Sequence, residues 1–240
     1  MRSVLTLALL STVSAISACA PEGSSAYVTF NIPPDDSCLF TPTTTLFTPV
    51  GQYDVGDGAN APNCRHSYFM HLLVNSNLKS NARAATGRAE PNVLQIMEAD
   101  VRLMNKNQET LPFKKADGSL DPALPNPFRI QTANSLFPTT TSEPSTGVVA
   151  VEAIPKAYAS HLTGFADDKI LIEVQIFGTT TGDVDIDFKP FVYPVAICRG
   201  CLSKCLGDLT GDLTKDDLTG GAGCQDNSAQ DGRFCIDPNC

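Results

Sequence analysis

Tryptophan is absent from the 240-residue chain, and only three histidines are present. Core volume must therefore come from Phe, Tyr, Leu, Ile and Val. His66 and His71 would face opposite sides of a strand, and His161 is remote, so a shared histidine metal site is not expected. No GxSxG, HExxH or phosphate-cradling Gly-rich loop occurs, and no carboxylate pair stands out as an acid and base, which removes the local signatures of the common hydrolases and nucleotide enzymes. Positive charge is scarce: 17 Lys and Arg against 26 Asp and Glu leave a net charge of −9. Such a chain repels nucleic acid and anionic headgroups, so neither nucleic acid nor an electrostatically held membrane is expected as a partner. No stretch reaches the roughly 20 apolar residues of a membrane-spanning helix.

The first eighteen residues are laid out as an export signal. Met1-Arg2-Ser3 is a small basic start, Val4 to Leu10 an apolar run, and Ser14, Ala15, Ser17 and Ala18 the small residues that precede cleavage. Removing this segment removes Arg2, its only charge, so −9 becomes −10.

Ile16-Ser17-Ala18-Cys19 resembles the lipobox of bacterial lipoprotein precursors, in which the cysteine receives a diacylglyceryl group. The resemblance implies a membrane anchor on Cys19, each buried methylene adding about 0.8 kcal/mol to partitioning. Ala rather than Asp at position 20 implies the outer membrane under enterobacterial sorting rules. A competing reading of Ala18-Cys19-Ala20 as an ordinary small-x-small cleavage site gives a secreted, soluble protein instead.

Nine cysteines are present, so eight remain after Cys19: Cys38, Cys64, Cys198, Cys201, Cys205, Cys224, Cys235 and Cys240. An even remainder in an exported chain points to disulfides, with 105 connectivities open. Cys38 and Cys64 are isolated in the N-terminal third and are expected to pair, for roughly 3 kcal/mol of chain-entropy stabilisation. The other six fall within residues 198–240. A zinc or thiol-exchange site at Cys198-x-x-Cys201 with Cys205 is the alternative there, although a second CxxC is lacking.

The rest divides into a short tether (residues 19–26), a β domain (27–197) and a Cys-rich, disulfide-stapled appendage (198–240). Strands are expected at 27–32, 67–78, 93–104, 148–154, 169–177 and 183–197. The second should be central, because both its faces are large and apolar. The third should put Val93, Met97, Ala99, Val101 and Leu103 on one face and Glu98, Asp100 and Arg102 on the other. Residues 178–182 read as a loop, 155–162 as one or two helical turns, and Pro190 and Pro194 as marks of an edge or bulge. Residues 105–147, with six prolines, read as a long irregular surface region with a short strand at 128–132. The pattern predicts an all-β fold, an immunoglobulin-like or related antiparallel sandwich.

Residues 207–221 place Asp208, Asp212 and Asp216 at alternating ligand positions, the pattern of an oxygen-ligand calcium loop. Leu213 and Thr219 stand where such a loop needs Gly and Glu, so no cofactor is expected and calcium is the exception to test. Asp36-Ser37-Cys38-Leu39-Phe40, the run into Cys198-Arg199-Gly200-Cys201-Leu202, Cys205 and Cys224-Gln225-Asp226 together resemble lipoproteins predicted from myxobacterial-type genomes. That resemblance implies the envelope address and the bridges, and no activity. The expected role is a structural or interaction module of the cell envelope, with an envelope protein or glycan as partner. The alternatives are a carbohydrate or small-ligand module rimmed by Phe113, Phe128 and Phe137, and an envelope hydrolase.

Overall fold

The computed structural model describes residues 25–34, 39–42, 47–56, 67–80, 92–205, 231 and 235–237. The described chain is an all-β sandwich. One sheet has three strands in the order β1-β3-β6, formed by Ala26–Asn31, Tyr68–Ser76 and Ser145–Ile154. The other runs β2-β9-β7-β4-β5, formed by Gly51–Asp54, Phe191–Cys198, Lys169–Thr180, Leu94–Met104 and Phe128–Leu136. A short β8 (Asp185–Asp187) also pairs with β7. Within the sandwich every pairing is antiparallel except β2 with β9.

Alternation drives this arrangement. Ile170, Ile172, Val174 and Ile176 of β7 and Met70, Leu72 and Val74 of β3 point into one buried cluster between the sheets. β3 is central, as its two apolar faces predict. Its outer side is partly covered: Phe40 stacks on His71, and Phe47 stacks on Phe30 of the neighbouring β1, while Phe69 stays 39% exposed.

β4 departs from its expected phase. Leu94 and Ile96 are buried before Met97, and Ala99, Val101 and Leu103 after it, while Met97 itself is 48% exposed. The register with β7 shifts between Ile96 and Glu98. Met97 is the extra residue of a β-bulge, which turns it outward and inverts the phase of everything before it. β7 also outruns its expected end: Gly178, Thr179 and Thr180 pair with Ile96, Gln95 and Leu94 rather than forming a loop. A side chain at Gly178 would press on the Gln95 carbonyl.

β8 and β9 lie one after the other along the same edge of β7, at Phe177–Thr179 and Lys169–Val174, with Pro190 in the jog between them. Pro194 sits opposite Leu171, and pairing with β2 begins only at Val195. The proline therefore precedes the β2 ladder, where its missing N–H costs nothing to that pairing.

Residues 105–147 are more ordered than their prolines suggest. β5 runs its full nine residues. The preceding excursion is pinned by Asn126, whose Oδ1 accepts the Leu103 N–H at 2.9 Å. Its Nδ2 donates to the carbonyls of Leu103 (2.8 Å) and Leu111 (2.9 Å). Leu111, Phe113 and Leu124 join the core, and the Tyr158 hydroxyl donates to the Pro125 carbonyl at 2.6 Å. Tyr158 belongs to the 3-10 helix Lys156–His161, within the stretch expected to hold helical turns. At the corner between the sheets, Thr132 Oγ1 donates to the Ala150 carbonyl (2.8 Å) and Asn134 Nδ2 to the Val148 carbonyl (2.5 Å), stitching β5 to β6.

Candidate functional site

Where the appendage leaves the sandwich, short β2 brings several buried polar groups together. Its parallel register sets Asp54 beside Cys198, the last residue of β9. The next turn closes with a Cys198–Cys201 disulfide, the Cα atoms 5.9 Å apart. Asp54 is fully buried. Its Oδ1 accepts the N–H groups of Gly56 and Gly200, both at 2.8 Å, and its Oδ2 accepts that of Leu202 at 2.7 Å. Gly56 and Gly200 have φ of +77° and +67°, which turns their amides toward the carboxylate at little steric cost for glycine. Two of the three donors belong to the Cys198–Cys201 turn, so Asp54 holds that turn against β2.

Two residues before Asp54, Gln52 is bonded twice to Asp231. Its N–H donates to Asp231 Oδ1 and its carbonyl accepts the Asp231 N–H, each at 2.8 Å. The Tyr68 hydroxyl donates to the same carboxylate, 2.9 Å from Oδ1 and 3.1 Å from Oδ2. Gly51 makes room for this: a Cβ there would run into the Tyr68 hydroxyl and come within 2.9 Å of the Tyr193 ring. Tyr193 is buried and donates to the Thr48 carbonyl at 2.9 Å. Burial pushes its hydroxyl up to about 12, the Asp231 charge adds to the rise, and hydrogen bonds with Asn31 and Tyr68 oppose it.

A ligand atom of each of Asp54, Cys198 and Cys201 lies within 4.8 Å of the others. Zinc would need both sulfurs as thiolates and a fourth donor, whereas here they are bonded to each other and the carboxylate is engaged by three amides. The two sulfurs are therefore joined as a bridge here rather than held apart as a thiolate pair.

The outer face of the larger sheet carries a second polar constellation. Arg129 forks onto Asp100 (Nε–Oδ1 2.6 Å, Nη2–Oδ2 2.9 Å), reaches Glu98 at 2.9 Å and lies 5.0 Å over the Phe177 ring. The guanidinium holds the Asp100 carboxyl below its ordinary value. Arg102 pairs with Glu173 at 2.7 Å. These opposite charges face each other across neighbouring strands and largely neutralise one another.

Of the sites expected from the sequence, Cys198 and Cys201 are brought together. Cys205 and Cys235 lie on two short strands, β10 (Ser203–Cys205) and β11 (Cys235–Asp237), which pair in parallel. Cys19, Cys38, Cys64, Cys224 and Cys240, the Cys38–Cys64 pairing, and the calcium candidates Asp208, Asp212 and Asp216 lie outside the described residues, as does His66. The expected aromatic rim is not assembled. Phe113 is buried edge-on against Tyr158, Phe128 packs on the same ring, and Phe137 alone of the three is exposed. Asp54 and Asp231 carried no local motif that could mark them. No family model, no curated protein and no solved structure matches the chain.

Proposed function

We propose that this chain is a lipid-anchored interaction module of a bacterial cell envelope, presenting a disulfide-containing β sandwich rather than a reaction centre. The observation that carries the reading is the order of parts. A lipobox-like cysteine is followed after six residues by the first strand of a sandwich, and the far end of that sandwich holds an oxidised bridge. The hydrogen-bonded acids at that end fit such a role. Asp54 and Asp231 are engaged by amides and a tyrosine hydroxyl, which suits rigid presentation of a surface. A partner protein or glycan would then meet a face of fixed charge pattern, such as the one built around Arg129 and Arg102.

Intact mass and peptide mapping of the native protein test this directly. The expected result is an N-terminal peptide beginning at Cys19 and carrying acyl chains, with few or no free thiols. An unmodified peptide beginning at Pro21 would assign the protein to the secreted class. Retention of residues 1–18 together with nine reactive thiols would remove export altogether.

A further inference from the structure

The end of the sandwich nearest Cys19 has a distinct character. Asn77 N–H donates to the Ser25 carbonyl at 2.8 Å, Thr139 N–H to Leu78 at 3.0 Å and Ser80 N–H to Thr139 at 3.1 Å, while the Lys79 ammonium reaches the Thr141 carbonyl at 2.7 Å. Two lateral steps therefore separate Ser25 from the β5–β6 connection, about 10 Å at the usual strand spacing. That connection begins with Phe137, which is 72% exposed, more than any other large hydrophobic residue described. Residues 137–142, Phe-Pro-Thr-Thr-Thr-Ser, carry no charge. The β7–β8 turn lies at the same end, since Thr180 pairs with Leu94 and Leu94 with Leu136; its Val184 is 58% exposed but sits between the exposed Asp183 and Asp185.

Tether length decides what this end meets. Six residue steps lead from Cys19 to Ser25, at most about 20 Å when fully extended. The eleven residues of β4 span about 35 Å. The short tether keeps one end of the sandwich beside whatever holds Cys19, and the long axis places the 105–127 excursion and the Cys198–Cys201 turn at the other.

We infer that the uncharged segment beginning at Phe137 rests in the interfacial zone of the bilayer, so that the lipid surface is a docking partner as well as an anchorage. This rests on the reading that Cys19 is acylated. An acidic protein is repelled by anionic headgroups, and the uncharged run from Phe137 to Ser142 beside Lys79, rather than the aspartate-flanked β7–β8 turn, is the part that can approach them.

The absence of tryptophan provides the test. Phe137→Trp creates a single fluorophore at the tip. Leu120→Trp creates one at the opposite end, where Leu120 is 68% exposed. Each full-length, natively acylated variant is floated on phospholipid vesicles with brominated acyl chains. The expected result is that the tryptophan at 137 loses half or more of its emission and shifts to the blue, while that at 120 is unchanged. A floated protein whose residue 137 is unquenched by bromine overturns the inference and leaves the anchor intact, including the case where a second copy shields it from an aqueous quencher. Protein that mass analysis finds without acyl chains, and that does not float, overturns both.

Discussion

The Tyr68 hydroxyl donates to the Asp231 carboxylate at 2.9 Å across 163 positions of chain. It joins the middle of the smaller sheet to a residue of the Cys-rich segment, and the same carboxylate also caps the Gln52 amide. Asp231→Ala removes the acceptor for both. The expected cost is about 2–3 kcal/mol, because two part-buried donors lose a charged partner. Tyr68→Phe removes one donor and should cost about 1 kcal/mol. Denaturant unfolding of both variants, with limited proteolysis of residues 206–240, checks this. A fully stable, protease-resistant Asp231→Ala protein would contradict the arrangement.

Tyr193 sets an alkaline limit. Its folded pKa of about 12 lies above the ordinary value of 10.0. The folded state therefore holds this proton more tightly, and the associated stability is complete below pH 10 and lost as pH rises toward 12. Tyrosinate absorbance should show a late-titrating group that is missing from Tyr193→Phe. That variant should also lose about 1 kcal/mol at neutral pH with its bond to Thr48.

Asp100 acts at the opposite extreme. Because Arg129 depresses its pKa from the ordinary 3.8, the pair's contribution is present above that value and lost as pH falls through the lower folded one. Asp100→Asn should lower Tm at neutral pH by about 1–3 °C, and the gap to wild type should close in acid and shrink in high salt. A gap that persists unchanged in acid would assign the effect to packing.

Asn126 predicts a local failure. Replacing it with Ala leaves the Leu103 amide and the Leu111 carbonyl without the Asn126 side chain, while the Leu103 carbonyl keeps its bond from the Leu111 N–H, a loss of about 1–3 kcal/mol. Hydrogen exchange should show residues 105–127 opening first while β7 stays protected.

Legibility in the sequence followed the strength of alternation. β3 and β7 were plain because their apolar residues recur at period two or fill both faces. β4 was recognised as a strand, but its phase before Met97 was not. A bulge is decided by the partner strand, and Met97 is as apolar as the residues it was grouped with. β5 was cut short because Thr132 and Asn134, where apolar residues would complete the pattern, instead bond across to β6. β2 was missed outright. Four residues flanked by turn formers give no period, and its partner β9 lies some 140 positions away. The cysteines drew attention to the right neighbourhood, yet the residues that organise it were hidden. Asp54 and Asp231 act mainly through contacts between segments far apart in the chain.

The stitching of β5 to β6 has a consequence for crowding. Exposed strand margins are where neighbouring molecules zip together, because unpaired carbonyls there accept foreign amides. Here the carbonyls of Val148 and Ala150 are already occupied by Asn134 and Thr132 from the same chain. Many copies packed side by side on one surface would find that seam closed to strand exchange, and density alone would not drive them into fibrils along it.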